Sequence, residues 1–250
     1  MQKLALVLLA LSAFASGSGI SDNFSAGKLN SSLWTIDTGT APGGTSTNSS
    51  TFSSSHVSLS QGMLALRLTQ NLGTNGVIQS VGAEVRSIAL YGYGTYSWTM
   101  RTASTAACPT CIGAAVPGQT SAGFLYVNRS QTEIDFEIEG GDDFYGIKNG
   151  ADLNTVWMTN WLWTSAKQWS TSKLLAPDAN FHTYKFVWTS SSISFYIDGH
   201  LVSVHTQHIP TAKAYILMNL WGTNNIWWGG YKTLGTTRYL YIKNFNFTAQ

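Results

Sequence analysis

Residues 132–140, Thr-Glu-Ile-Asp-Phe-Glu-Ile-Glu-Gly, set Glu133, Asp135, Glu137 and Glu139 at alternate positions. Period-two alternation is the pattern of a β-strand, on which residues i, i+2 and i+4 share a face. The chain holds 12 acidic residues in all, so a third of its negative charge stands within seven positions. Like charges placed this way repel and raise the pKa of at least one group. An ionised carboxylate beside a protonated carboxylic acid is what nucleophilic and general acid/base chemistry requires, and hydrolysis of a glycosidic bond uses such a pair directly. When configuration is retained, the two carboxyl groups lie about 5–5.5 Å apart. Glu133 and Glu137 are about 13 Å apart along an extended strand. Their acid groups therefore converge only on a concave face of a bent sheet, with this strand near its middle. Asp135 between them can hydrogen-bond one Glu and hold the charges in unequal states.

Two plainer explanations compete. A solvated strand face usually mixes Lys or Thr among its acids and belongs to an edge. Here Ile134, Phe136 and Ile138 demand that the other face be fully buried. A calcium site draws its ligands from sharply turning loops and their carbonyls rather than from a flat strand.

The elements that must position this strand are themselves β. Short alternating runs rich in Val, Ile, Tyr, Phe, Trp and Thr recur along the chain: 63–69, 94–101, 183–189, 192–197, 215–220 and 238–247. Asp198-Gly199 between two of them is a two-residue type I′ hairpin signal. Segments 38–55 and 103–118, rich in Gly, Ser, Thr and Pro, read as surface loops. No repeat, linker or charge block divides the chain, so one antiparallel β-sandwich with an aromatic core is expected. The start is different: a basic Met1-Gln2-Lys3, an apolar run from Leu4 to Phe14 and an Ala13-Phe14-Ala15 cleavage pattern predict a signal peptide over 1–15. The mature protein is then expected to be secreted, extracellular and monomeric. No other stretch approaches the roughly 18 apolar residues of a membrane span.

The formal net charge of +2 falls to +1 without Lys3, and there is no basic run, which argues against nucleic acid or a membrane surface as partner. Sequons stand at Asn23, Asn30, Asn48, Asn128 and Asn246. The two cysteines, Cys108 and Cys111, lack the setting of a redox motif and the further ligands of a zinc site, so a small disulfide clamping a loop is expected.

Glu133-Ile-Asp135-Phe-Glu137 resembles the E-x-D-x-E signature of glycoside hydrolase family 16, on its lichenase and xyloglucan transglycosylase side. Residues 22–34 (DNFSAGKLNSSLW), 83–100 (AEVRSIALYGYGTYSWTM), 181–188 (FHTYKFVW), 196–199 (YIDG) and 218–221 (MNLW) are similar to other segments of that family, in the same order. The resemblance implies a concanavalin-like β-jelly-roll of two curved antiparallel sheets with a concave cleft, spanning residues 16–250 as one catalytic domain. It implies Glu133 as nucleophile, Asp135 as assisting carboxylate and Glu137 as acid/base. It also implies substrate contacts from Glu84, Arg86, Phe124, Tyr126, Asn160, Asn219 and Trp221. Of the tryptophans crowded into the C-terminal half, Trp221 alone is expected at the cleft, since a buried Trp is more often core than platform.

Departures from the family pattern are Gln131 ahead of the motif, the acidic Glu139, and an apparent insertion over 140–155. Tyr241 stands near where some relatives carry a calcium-binding Asp, so no metal or cofactor is expected. The implied activity is that of a retaining endo-β-glucanase, most directly on mixed β-1,3-1,4-glucan, since members acting on pure β-1,3-glucan usually have one residue more in the motif. A transglycosylase would use the same residues, and a lectin-like binding sandwich would have no need of the acidic triplet.

Overall fold

Phe136 explains why the acidic segment is a strand and why it cannot move. In a computed structural model describing residues 19–140, 154–163, 166–175 and 180–250, Thr132–Gly140 is a nine-residue β-strand. Ile134, Phe136 and Ile138 are buried on one side of it. The Phe136 ring packs against Tyr184 (centroids 5.4 Å apart), Phe195 (5.3 Å) and Phe186 (6.3 Å), all of which belong to the opposite sheet. The expected signal peptide and most of the 140–155 insertion lie outside the described residues.

Among the described residues, seven strands form the sheet that carries the acids. Their spatial order is Trp34–Asp37, Ile78–Ser87, Tyr215–Gly222, Gln119–Val127, Thr132–Gly140, Asn154–Trp163 and Lys167–Leu175. The acidic strand thus has four strands on one side and two on the other. The second sheet runs Val57–Ser60, Met63–Leu72, Arg238–Ala249, Gly94–Ser104, Phe181–Trp188, Ile193–Ile197 and His200–His205, with Ile20–Asp22 paired along Arg238–Ala249. The inner faces of the two sheets meet in one core of Trp98, Trp188, Tyr96, Tyr184, Phe186, Phe195, Phe245 and the aliphatic residues between them. This is the antiparallel sandwich that the strand pattern predicts, in the jelly-roll form that the family resemblance implies.

One hairpin stitches the sheets together. Leu64–Leu68 pairs with the C-terminal strand in the second sheet, whereas Thr69–Leu72 turns to pair with Ile78–Val81, whose strand continues into the acidic sheet. Against this corner lies Asn48–Phe52, the one parallel partner among the described ladders. The reading of 38–55 as a surface loop is therefore corrected. Gly39–Thr40 and Asn48–Phe52 are strands, and Asn48 is fully buried. A chain of buried hydrogen bonds accounts for the difference: Arg238 Nη2 donates to Gln70 Oε1 (2.8 Å), Gln70 Nε2 to Ser80 Oγ (2.9 Å), Ser80 Oγ to Asn48 Oδ1 (2.6 Å) and Asn48 Nδ2 to the Gly43 carbonyl (2.8 Å). Polar Ser and Asn are drawn inside because each finds a partner there.

Two local expectations are met. Asp198 and Gly199 have φ of 50° and 82°, the left-handed pair that a type I′ turn needs. Cys108 and Cys111 form a disulfide with Cα atoms 5.0 Å apart. The loop it closes directs the carbonyls of Pro109 and Cys111 onto the buried Arg101 guanidinium. Tyr241 is also buried, its hydroxyl donating to the Ala106 carbonyl (2.9 Å).

Replacing Phe136 by Ala opens a cavity between the sheets and is expected to cost about 3–5 kcal/mol of stability in urea unfolding. The same variant should also lose whatever chemistry the acidic strand performs at temperatures where it is still folded, because that strand loses its anchor.

Candidate active site

Strand register decides which side chains surround the acids. Glu137 is directly across from Ala122 on one neighbour and Trp157 on the other; Asp135 is across from Phe124 and Thr159; Glu133 is across from Tyr126 and Trp161. Farther out, Asn219 pairs with Ala122 and Glu84, while Leu217 pairs with Phe124 and Arg86. All of these residues share the face that Ile134, Phe136 and Ile138 leave free.

On this face a cavity of about 290 Å³ is lined by Glu133, Asp135, Glu137, Phe124, Ala122, Asn219, Trp221, Trp161, Trp228 and Pro42. Its wall is built on Ala41 and Phe52, which pack with Trp221 and Trp228. Gly43, at φ 80°, sits so close to the Gly222 carbonyl and the Trp221 ring that no side chain fits there. Four buried polar atoms of the lining residues have no hydrogen-bond partner among the described residues: Glu133 Oε2, Asp135 Oδ2, Asn219 Oδ1 and Trp228 Nε1. Buried polar atoms are normally satisfied, and unpartnered donors and acceptors on residues lining a cavity suit a hydroxyl-rich ligand.

The three carboxyls do not have equivalent surroundings. Burial raises the pKa of Glu133, but a Ser130 hydrogen bond and the Lys167 charge oppose the rise. Ser130 ends a hairpin in which Asn128, Arg129 and Ser130 all take left-handed φ (43°, 52° and 64°). Three consecutive non-glycine residues in that region carry strain of about 1 kcal/mol or more each, a feature that concentrates at functional sites. Burial also raises Asp135 well above the ordinary range, and Glu133 and Glu137 add to it. The Trp161 indole N–H, donated to Asp135, and Lys167 act the other way. Glu137 is pushed up to about 8, first by burial and second by the charge of Glu133. Desolvation rather than like-charge repulsion is thus the main cause, which corrects the emphasis drawn from the crowding alone.

The expected contact residues do not all take the same position. Phe124, Asn219 and Trp221 line the cavity. Glu84 stands behind Asn219, whose Nδ2 donates to Glu84 Oε2 (2.9 Å), and burial raises Glu84 to about 7. Tyr126 flanks Glu133 on the same face. Arg86 shares the face but is engaged elsewhere: its Nε and Nη2 donate to Asp37 (2.6 and 3.2 Å) and its guanidinium lies 4.4 Å over the Tyr215 ring.

Asn160 is a correction. It pairs with Ile134 and therefore faces the core, where Nδ2 donates to the carbonyls of Gln207 (3.1 Å) and His208 (2.8 Å) while Oδ1 meets His205 Nδ1 (2.7 Å). Alternation then delivers Trp161 to the cavity. Trp161 and Trp228, neither of them expected at the cleft, both line it, and Trp157 stacks on Trp228 with centroids 5.5 Å apart. The signal for Trp161 was its even spacing from Trp157 and Trp163, which places all three on one face.

A family model for glycosyl hydrolases family 16 matches residues 44–240, and the chain belongs to that family. A β-glucanase of Acetivibrio thermocellus is 31% identical over 203 residues, 76% of this chain and 53% of the relative. The chain thus spans about half the length of that curated relative. Among solved structures, the Bacillus licheniformis β-glucanase superposes with a TM-score of 0.71 at 26% identity, covering 94% of this chain and 99% of that one. A β-1,3-1,4-glucanase (lichenase) from a mouse hindgut metagenome gives 0.72 at 23% identity over 93% and 100%, and at that identity it speaks for the fold alone.

The raised carboxyls make stability depend on pH. Glu84 and Glu137 bind their protons more tightly folded than unfolded, so their stabilising contribution is complete below the ordinary Glu value of about 4.3. It is lost as pH rises through about 7 and about 8. The melting temperature is expected to fall between pH 5 and pH 8.5, and Glu137→Gln should flatten that slope in a calorimetric series.

Proposed function

We propose that the chain is a secreted, retaining endo-β-glucanase that cleaves mixed β-1,3-1,4-glucan by double displacement. The observation that carries this reading is the asymmetry between the two ends of the acidic strand. Burial raises both acids, but at Glu133 a hydroxyl and an ammonium oppose the rise, whereas at Glu137 the neighbouring charge adds to it. A retaining mechanism requires this division: an ionised nucleophile at the anomeric carbon and a protonated acid at the leaving oxygen. Asp135, held by the Trp161 N–H between them, can take up hydrogen bonding to whichever Glu is charged as the roles alternate.

In the first step Glu133 attacks the anomeric carbon while Glu137 gives its proton to the departing sugar oxygen. In the second, Glu137, now a carboxylate, takes a proton from water as that water displaces Glu133 from the glycosyl carbon. The aromatic residues around the cavity, Phe124, Trp161, Trp221 and Trp228, suit the C–H faces of glucosyl rings. The β-glucanase names of the relatives support the substrate class. The undivided E-x-D-x-E spacing supports mixed linkage within it. Export is supported by the cleavage pattern at 13–15 and by the disulfide, a bond that persists in oxidising surroundings.

Purified protein should release oligosaccharides from barley β-glucan faster than from laminarin, xyloglucan or carboxymethylcellulose, and the first product seen by proton NMR should be the β-anomer. Cutting none of the four would refute the substrate class, and an α-anomer would refute retention. Glu133→Gln should be folded and inactive. Glu137→Gln should lose about 10²–10⁴-fold in kcat. The wild-type kcat/KM is expected to decline on the alkaline side as Glu137 loses its proton around pH 8.

A further inference from the structure

The edge strand Lys167–Leu175 carries a residue that the carboxylate cavity does not require. Trp169 is directly across from Trp161, with ring centroids 5.4 Å apart at 38°, yet it is 55% exposed. Register places Trp163, 39% exposed, and Lys167 on the same face. A sheet holds Trp169 in this position. Its neighbour Ser170 points the other way, where its hydroxyl reaches the Gln207 carbonyl (3.1 Å) and His208 Nδ1 (3.2 Å). Turning Trp169 inward would require a one-residue slip of the whole strand.

The cross-strand rung Tyr215–Tyr126–Glu133–Trp161–Trp169 runs unbroken from the middle of the sheet to its edge. At about 4.8 Å per strand, Trp169 stands about 10 Å beyond the carboxylate strand. Trp161 is already engaged, through its N–H to Asp135 and through Lys167 Nζ, 3.9 Å from its ring centroid. Trp169 is the ring left open, and large apolar surface held open beside a binding cavity is a mark of recognition.

We propose that Trp169 is the platform of an additional glycosyl-binding position at the sheet edge, where an uncleaved stretch of the polysaccharide stacks after passing Trp161. The occupant is the sugar chain because the platform is continuous with the carboxylate cavity and lies on its face. This rests on the glucan reading above and extends it: Trp169 makes the enzyme sensitive to substrate length.

The test compares Trp169→Ala and Trp169→Tyr, made in the full chain and checked for unchanged melting temperature, on barley β-glucan and on a short chromogenic β-glucan oligosaccharide. For Trp169→Ala the KM for the polymer should rise roughly tenfold, with kcat little altered and with a much smaller effect on the oligosaccharide. Trp169→Tyr should recover most of the loss. In a Glu133→Gln background, migration through a gel containing barley β-glucan reads binding without turnover, and Trp169→Ala should migrate faster there. An unchanged polymer KM, an equal change on both substrates, or equal migration overturns the platform. Whether the wild type cuts any glucan reports separately on the function proposed above.

Discussion

Everything on the acidic face depends on one strand being buried on one side only. Ile134, Phe136 and Ile138 lock into the opposite sheet through the rings of Tyr184, Phe186 and Phe195. Since β side chains alternate, that anchoring forces Glu133, Asp135 and Glu137 onto the other face and fixes their spacing. No flexible loop has to carry the chemistry. A site on a rigid strand holds its geometry better than one on a loop, and the cost is the desolvation of three carboxyls close together.

That cost is also what differentiates the acids. A water-exposed row would titrate nearly alike. In a buried cavity, small differences in partners separate them: a hydroxyl from a strained turn and the Lys167 ammonium at one end, only burial and a negative charge at the other. The low overall charge of the chain fits this scheme, because few distant charges are present to blur the local ones.

The features that lie within a few residues of one another were legible in the sequence. The alternation of 132–140, the Asp198-Gly199 turn and the Cys108–Cys111 bridge each follow from local rules. The strand parity of 154–163 was not. Asn160 and Trp161 differ by one position, and which of them faces the cavity depends on register with a strand some 25 residues away, across a segment with no pattern of its own. Nothing local to Ser130 announces that its hydroxyl meets Glu133. Residues 38–55 read as loop for a similar reason. Their Ser, Thr and Asn are polar by type, and only the distant partners Gln70, Ser80 and Arg238 make burying Asn48 favourable.

The buried Asn48 has a consequence for where this chain can be made. The nitrogen that binds the Gly43 carbonyl, and also approaches that of Gly222 (3.3 Å), is the atom to which a glycan would be attached at the Asn48-Ser49-Ser50 sequon. In a compartment that glycosylates chains as they emerge, the sugar would arrive before the sheets close and would occupy the space of the cavity wall. Asn23, Asn30, Asn128 and Asn246 are exposed and carry no such conflict. Replacing Asn48 is no simple remedy, since the same amide ties the wall to the core. The route of biosynthesis is therefore part of the folding problem for this protein.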